Sequence, residues 1–252
     1  MVRKITTAAA PHEADVLHGD PEATPWRRAL PEWLVTNGLG GYASGTIPGL
    51  ITRRFHGQLI AALPAPHGRT MMLNHLSDLV RLQSGAVHQL SVQPRPDEAR
   101  LLPSASQLLD FTVAHGLPVW RYACGTAVIE KQVFLPYGQN TVHVTYQLLE
   151  GDGPVLIELE PWINFRPHEG RLDTPLAGPY SLKAVDDRYE VAIESDLPPL
   201  RMQLLECDGS FTIEGKRIQN VRYRLESARG YEATGDLYSP GFLVRRSIAG
   251  GA

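Results

Sequence analysis

Several features of membrane, secreted and nucleic-acid-binding proteins are missing from this 252-residue chain. No run approaches the roughly 18 consecutive apolar residues that a membrane-spanning helix needs. The N-terminus has no apolar core of signal-peptide length, and no Asn-x-Ser/Thr sequon occurs. The formal net charge of -3 gives no reason to expect nucleic acid or an anionic membrane as a partner. These absences predict a cytoplasmic protein that binds neither nucleic acid nor a membrane.

Cysteine and metal-ligand patterns are also scarce. The two cysteines, Cys124 and Cys207, fit no metal or redox spacing, so small buried thiols are the simpler interpretation, with a disulfide between them left open. None of the nine histidines forms an H-x-H or H-x-x-x-H pair. The sequence therefore predicts no metal and no cofactor.

Turn-forming residues are abundant, with 23 glycines and 20 prolines. Short segments of strand character are separated by Gly/Pro turns at intervals of eight to twelve residues, which is typical of an all-β sandwich or barrel. The clearest is Thr141–Leu149, in which Val142, Val144, Tyr146 and Leu148 alternate with polar residues. No helical apolar period lasts more than about two turns. The predicted fold class is all-β.

The remaining segments extend this prediction along the chain. The predicted strands are 55–63, 71–83, 87–92, 119–123, 127–135, 155–160, 181–185, 189–193, 200–206 and 217–225, and the predicted loops include 94–103 and 166–179. Residues 1–30 are expected to be irregular and residues 31–252 to form a single domain, a length that all-β folds reach without splitting.

The most unusual stretch is Glu32–Leu63, which contains glycines at positions 38, 40, 41, 45 and 49. Gly38 to Ala43 formally fits the G-x-G-x-x-G/A dinucleotide fingerprint. However, Gly45 and Pro48 would break the helix that must follow, and no Asp or Glu occurs between Glu32 and Asp78 to bind a ribose. A nucleotide site is therefore not predicted.

The same stretch resembles a known family. EWLVTNGLGGYASGT followed by TRRFHGQLIAAL is similar to the signature of the N-terminal domain of bacterial and archaeal glycogen debranching enzymes, the amylo-α-1,6-glucosidase family. The resemblance continues through 118–148, 161–166 and 229–242. It implies a large antiparallel sandwich of two sheets. It also implies that the hydrolysing carboxylates belong to a helical (α/α) barrel domain that follows.

The carboxylates of this chain agree with that expectation. A glycosidase needs two of them across the scissile bond, one of which has a raised pKa. The closest pairs are Glu158 with Glu160, Asp186 with Asp187, and Glu232 with Asp236. The first pair has the outward positions of a strand and the second has the composition of a hairpin turn. Ser44 has no visible His/Asp partner. Because the chain ends at Ala252, we expect no complete active site and no hydrolysis by the chain alone.

Binding residues are the better candidates. Sugars are recognised by aromatic faces and planar polar groups, and arginine and aromatic residues are also enriched at protein interfaces. The candidates for glucan binding or domain docking lie in two segments: Asn37, Tyr42, Arg53, Arg54 and His56, then Trp162, Asn164 and Arg166 with the neighbouring Phe165. The alternatives are that Arg53 and Arg54 hold the loop through carbonyls or acids, that His56 is satisfied by backbone hydrogen bonds, and that Trp162 is core. The predicted function is a debranching-enzyme N-terminal domain that docks on a helical catalytic domain. A free-standing α-glucan-binding module is the second hypothesis, and a small enzyme with a β-sandwich site is the third.

Overall fold

The computed structural model describes residues 31–96, 107–176, 178–205 and 209–248. These residues form seventeen strands and one helix. The elements are β1 (Glu32–Thr36), β2 (Tyr42–Thr46), β3 (Gly57–Ala62), β4 (Arg69–Leu73), β5 (His75–Arg81), β6 (Val87–Gln89), β7 (Leu108–Ala114), β8 (Leu117–Cys124), β9 (Ala127–Phe134), β10 (His143–Glu150), β11 (Val155–Trp162), β12 (Arg166–Pro167), β13 (Ser181–Val185), β14 (Arg188–Ala192), β15 (Leu200–Gln203), β16 (Gly209–Arg222), α1 (Arg224–Ala228) and β17 (Thr234–Ile248). The predicted irregular segment 1–30 and Cys207 lie outside the described residues.

The strands pair into four antiparallel sheets. Their orders are β1-β2-β3-β4-β12, β10-β9-β8-β7, β16-β17-β11-β5-β6 and β13-β14-β15. Within the described ranges no sheet closes on itself. The all-β, antiparallel prediction is confirmed.

Alternating side chains of these sheets build one main core. In β10, Tyr146 and Leu148 are buried while Thr145 and Gln147 are exposed, as the sequence alternation predicts. The predicted inward residues of β11 are buried as well, and they belong to the same cluster as the β8 and β9 side chains. Strand β11 lies between β5 and β17, so both of its edges are hydrogen-bonded to neighbouring strands. The apolar period therefore correctly identifies the residues on which the sheets pack.

The core also contains an ion pair. Lys131 Nζ donates to Asp78 Oδ2 at 2.5 Å, and the Tyr146 hydroxyl donates to the same oxygen at 2.9 Å. Burial alone would raise the pKa of Asp78, but the adjacent Lys131 ammonium lowers it below the ordinary value of 3.8. Cys124 is a buried free thiol, and burial raises its pKa to about 12. This cysteine is therefore an unreactive core residue, as predicted.

Several local predictions were wrong, and strands β2 and β7 were not predicted. The single strand predicted for 71–83 is two strands, since the chain leaves β4 at Leu73 and enters β5 at His75. The predicted loop 166–179 begins with the short strand β12, which pairs with β4. The strand predicted for 217–225 is the end of the longer β16, followed by α1. Strand β17 was not predicted.

The helix α1 is five residues long. Across the described residues, no helix has the length and apolarity required to span a membrane.

Candidate functional site

Tyr42 and His168 bring the two predicted segments together. Tyr42 lies on β2, and its hydroxyl is 3.0 Å from the carbonyl oxygen of Phe55 and 2.8 Å from Nε2 of His168. Burial raises the pKa of Tyr42 to about 12, so its hydroxyl remains a donor. Because the single phenolic hydrogen goes to the Phe55 carbonyl, Nε2 of His168 must carry the hydrogen of the second contact. His168 Nδ1 is then the ring's acceptor atom.

His168 completes an aromatic cluster that the sequence did not reveal. Its ring centroid is 4.8 Å from that of Phe55 and 5.7 Å from that of Tyr42, the latter edge-to-face. Burial first, and then the nearby Arg69 charge, lower the pKa of His168 below 6.5, so the ring is neutral at pH 7. The cluster is therefore aromatic, with a neutral and largely buried histidine.

Arg54 lies beside this cluster and is fixed from two sides. Its backbone N–H donates to Glu226 Oε1 at 3.2 Å, and its Nε donates to Glu226 Oε2 at 3.3 Å. The guanidinium carbon is 5.4 Å from the centroid of Phe55 and 4.9 Å from that of Tyr231. Among the described residues, no hydrogen bond reaches Nη1 or Nη2 of Arg54. Those two nitrogens are therefore the ones that Arg54 has to offer a ligand or partner.

Arg166 organises the backbone behind Arg54. Its Nη2 donates to the carbonyl of Arg54, and its Nη1 is within 3.1–3.4 Å of the carbonyls of Pro167, His168 and Gly170. The side chain is only 3% exposed. Arg166 is thus a buried residue that joins the two segments, and it presents no free guanidinium to solvent. The sequence left open contacts with carbonyls or acids for Arg53 and Arg54, and these two arginines pair with Glu32 and Glu226.

His56 and Arg53 converge on one carboxylate. Glu32 Oε1 is 2.6 Å from Arg53 Nε and 3.3 Å from His56 Nε2. The backbone N–H of Thr52 donates to His56 Nδ1 at 3.2 Å, so the ring hydrogen is on Nε2 and points to Glu32. The bond from His56, followed by that from Arg53, lowers the pKa of Glu32 to about 2. Because both ring nitrogens are engaged, His56 has no free atom with which to act as a general base.

Asn37 joins two loops. Its Oδ1 accepts the backbone N–H groups of Leu39 and Gly41, each at 2.9 Å, and its Nδ2 donates to Gln139 O and Asn140 Oδ1. A Cβ on Gly41 would lie 2.7 Å from Asn37 Nδ2 and 2.8 Å from the Ile60 carbonyl, so this glycine is required by close packing. Asn37 is fully buried and therefore positions the loop.

The loop fixed by Asn37 presents apolar side chains to solvent. Tyr137 is 88% exposed, and its ring lies against Gly38. Leu39, in the same loop as Gly38, is 53% exposed. Folding gains little from exposed apolar groups on such a fixed loop, so they are candidates for contact with another molecule.

Trp162 and Asn164 lie in the interior. Trp162 is 3% exposed and its Nε1 donates to Ser77 Oγ at 3.0 Å. The polar groups of Asn164 are also used inside the domain. Its Nδ2 donates to the carbonyl of Asp236, and its backbone N–H donates to Asn74 Oδ1. Trp162 is therefore a core residue, which is the alternative that the sequence left open. Neither Trp162 nor Asn164 belongs to the cluster around Tyr42.

Four of the six acidic side chains in the predicted pairs contact cations or backbone groups. Glu158 pairs with Arg81, Glu160 with Lys216, and Glu232 with Arg171. Asp236 accepts the Asn220 N–H, and Asp186 occupies the β13–β14 turn with φ of 55°. The described part of the chain contains no group of three or more His, Cys, Asp or Glu side chains that could hold a metal. No pair here has the features of an acid and a nucleophile facing across a sugar site.

Comparison with known families identifies the chain. Residues 31–248 match the family described as Glycogen debranching enzyme N terminal. The chain belongs to this family. No curated protein and no solved structure shows a significant match to it. The resemblance inferred from the sequence is confirmed, and the domain is linked to glycogen debranching.

In this debranching-enzyme domain, the sequence missed three residues of the cluster: His168, Glu226 and Tyr231. His168 is only two positions beyond the predicted Arg166, which is the one local signal that pointed to it. Glu226 and Tyr231 lie 172 and 177 residues after Arg54. Tyr231 is within the resembling segment 229–242, whereas no local pattern marks Glu226.

Proposed function

We propose that this N-terminal domain docks against a helical (α/α) catalytic domain and borders its active site, and that alone it hydrolyses no glucan. The contact surface would be the arginine–aromatic surface, formed by Tyr42, Arg54, Phe55, His168 and Tyr231. The remainder of the glycogen debranching enzyme, which an N-terminal domain implies, would supply the hydrolysing carboxylates.

The fixed position of Arg54 carries this proposal. Its Nε and backbone N–H are bound by the buried Glu226, while Nη1 and Nη2 have no bond within the described residues. A side chain that is already ordered loses little conformational entropy on binding, and arginine flanked by aromatic rings is typical of interface residues that dominate affinity.

Inactivity is tested by incubating the isolated chain with branched α-glucan and maltooligosaccharides and measuring released glucose. We expect no turnover above the uncatalysed rate. Steady release at enzyme-like rates would show that the chain has its own active site.

Docking is tested by calorimetric titration of the chain with a separately produced catalytic domain of a debranching enzyme. Arg54→Ala and Tyr231→Ala should each weaken binding by roughly tenfold or more, the loss expected of central interface residues. Arg201→Ala is the matched control, because Arg201 lies on β15 with 60% of its side chain exposed. Equal affinities for all three variants would place the interface elsewhere.

A free-standing α-glucan-binding module is the second candidate, and the exposure of Tyr137 favours it. An exposed aromatic face on a hydrogen-bonded loop suits stacking on a sugar ring. In affinity electrophoresis through glycogen, that function predicts retardation that Tyr137→Ala or Tyr42→Ala abolishes. Trp162 is not informative in this assay, since it is buried. Unretarded migration of the wild-type chain would leave docking as the function.

A further inference from the structure

A small polar cavity lies beneath the glycine-rich segment. Gly45 and Gly49 lie on its wall, and Trp33 and Trp120 line it from β1 and β8. Its volume is about 20 Å³. The cavity therefore connects the segment that defines the family resemblance with the interior of the domain.

Two polar atoms of residues on the cavity wall have no partner. Gln58 Oε1 and His75 Nε2 are both buried and make no hydrogen bond to any described residue. His75 as a whole is 3% exposed. Leaving a buried polar atom unpaired is costly, so such atoms in folded proteins normally have a protein or solvent partner.

The protonation of His75 limits what it can bind. Burial lowers its pKa to about 4, with an opposing contribution from Asp78 and a reinforcing one from Lys131. The ring is therefore neutral at pH 7, with one N–H and one acceptor nitrogen. Lys131, which also lines the cavity, uses one of its three N–H groups on Asp78 and lies over the rings of Trp120 and Tyr146.

We infer that this cavity is a binding site for one ordered water molecule that bridges Gln58, His75 and Lys131. The volume of about 20 Å³ is enough for a water, which needs at least roughly 10–15 Å³. The hydrogen bonds also balance: the water donates to Gln58 Oε1 and to His75 Nε2, and it accepts one N–H from Lys131. Three bonds is the usual number for a buried water.

Other occupants fit less well. A sugar ring is far larger than a cavity of about 20 Å³. A metal cation is disfavoured by the Lys131 ammonium, and no metal-binding group was found among the described residues. An empty cavity is expected only where the lining is apolar, and this one is lined by Asn74, Ser91 and the three polar residues of the bridge.

The proposed hydrogen bonds also determine the tautomer of His75. If the water donates to Nε2, the ring hydrogen must be on Nδ1. The site would thus fix a single tautomer of a histidine that has no hydrogen-bonded protein partner at Nε2.

The test combines a high-resolution crystal structure of the chain with solution measurements. We expect density for one water within hydrogen-bond distance of Gln58 Oε1 and His75 Nε2, a contribution from this long-lived internal water to magnetic relaxation dispersion, and nitrogen NMR showing His75 protonated at Nδ1. Gln58→Leu should remove the long-lived water, whereas Gln147→Leu, the same change at an exposed position of β10, should retain it. A dry cavity, an ion in place of water, or a His75 ring protonated at Nε2 would each overturn the proposal.

Discussion

Arg54 and Glu226 are 172 residues apart in the chain, yet Glu226 binds both the backbone N–H and the side-chain Nε of Arg54, at 3.2 and 3.3 Å. The Glu226 side chain is 1% exposed and that of Arg54 is 16% exposed. A buried carboxylate needs such partners to offset its desolvation. The pair therefore fixes the arginine of the proposed contact surface and the helix α1 at the same time.

Glu226→Gln should destabilise the domain. The substitution preserves the shape but removes the ionic part of two hydrogen bonds in a buried position. We expect the free energy of unfolding to fall by about 1.5–3 kcal/mol, the range for hydrogen bonds to charged groups, measured by urea denaturation. Glu169→Gln is the control, because that side chain is 85% exposed and its change should stay within about 0.5 kcal/mol. Equal effects of the two substitutions would contradict this role of Glu226.

Asp78→Asn should have a larger effect than Glu226→Gln. It leaves the Lys131 ammonium in the core without a counter-charge, and breaking a buried pair in this way costs about 3–5 kcal/mol. The double variant Asp78→Leu with Lys131→Met removes both charges and should recover part of the loss. Urea denaturation of the single and double variants measures the loss of stability and its recovery. A double variant less stable than Asp78→Asn would show that the ion pair itself stabilises the core.

The sequence predicts those strands in which apolar and polar residues alternate within the strand itself. The alternation in β10 and the inward residues of β11 need only a neighbouring sheet face, and both were predicted correctly. Strand β17 contains Gly235, Pro240 and Gly241, which argue against a strand. The structure accommodates Pro240 because the β16 register shifts between Ile213 and Lys216, opposite Gly241 and Ser239. That bulge depends on the partner strand, so the sequence of β17 alone could not reveal it.

The residues of the candidate site also divide into those that their residue type identifies and those that only the fold reveals. Tyr42, Arg54 and Arg166 were selected because their residue types suit sugars or interfaces, and the structure brings them together around His168 and Glu226. The separation of 126 residues between Tyr42 and His168 leaves no periodic signal. Whether a chosen side chain faces solvent also depends on tertiary packing, which is why Trp162 is in the core.

The stability of the domain should fall between pH 6.5 and pH 4 because of His75. The pKa of His75 is about 4 in the folded chain and 6.5 as the ordinary value, so the unfolded chain binds the proton first as the pH decreases. The free energy of unfolding should therefore decrease by about 1.4 kcal/mol per pH unit across this window, in addition to other groups. Urea denaturation at a series of pH values in this range measures the slope.

His75→Phe should remove that part of the slope. The control is His115→Asn, which removes an exposed histidine at a position with φ of 53° that asparagine tolerates. Its slope should equal that of the wild type. The assignment to His75 fails if His75→Phe keeps the wild-type slope.

Gly38→Ala tests the loop that presents Tyr137. Gly38 has φ of +77°, and an added Cβ would overlap the ring of Tyr137. The left-handed backbone costs a non-glycine residue about 1–2 kcal/mol. Since Tyr137 is 88% exposed, its ring can move away, so steric overlap should add little to this cost. Gly68→Ala is the matched control, because Gly68 has φ of +59° with no atom near its hypothetical Cβ.

Urea denaturation should therefore give similar destabilisation for Gly38→Ala and Gly68→Ala. Adding Tyr137→Ala to Gly38→Ala should restore little stability. Binding should behave differently, because displacement of the ring changes the surface that the loop presents. If Tyr137 contacts glucan or the catalytic domain, Gly38→Ala should weaken that binding while Gly68→Ala leaves it unchanged. Equal binding by both variants would mean that the Tyr137 ring on Gly38 is not part of the contact surface.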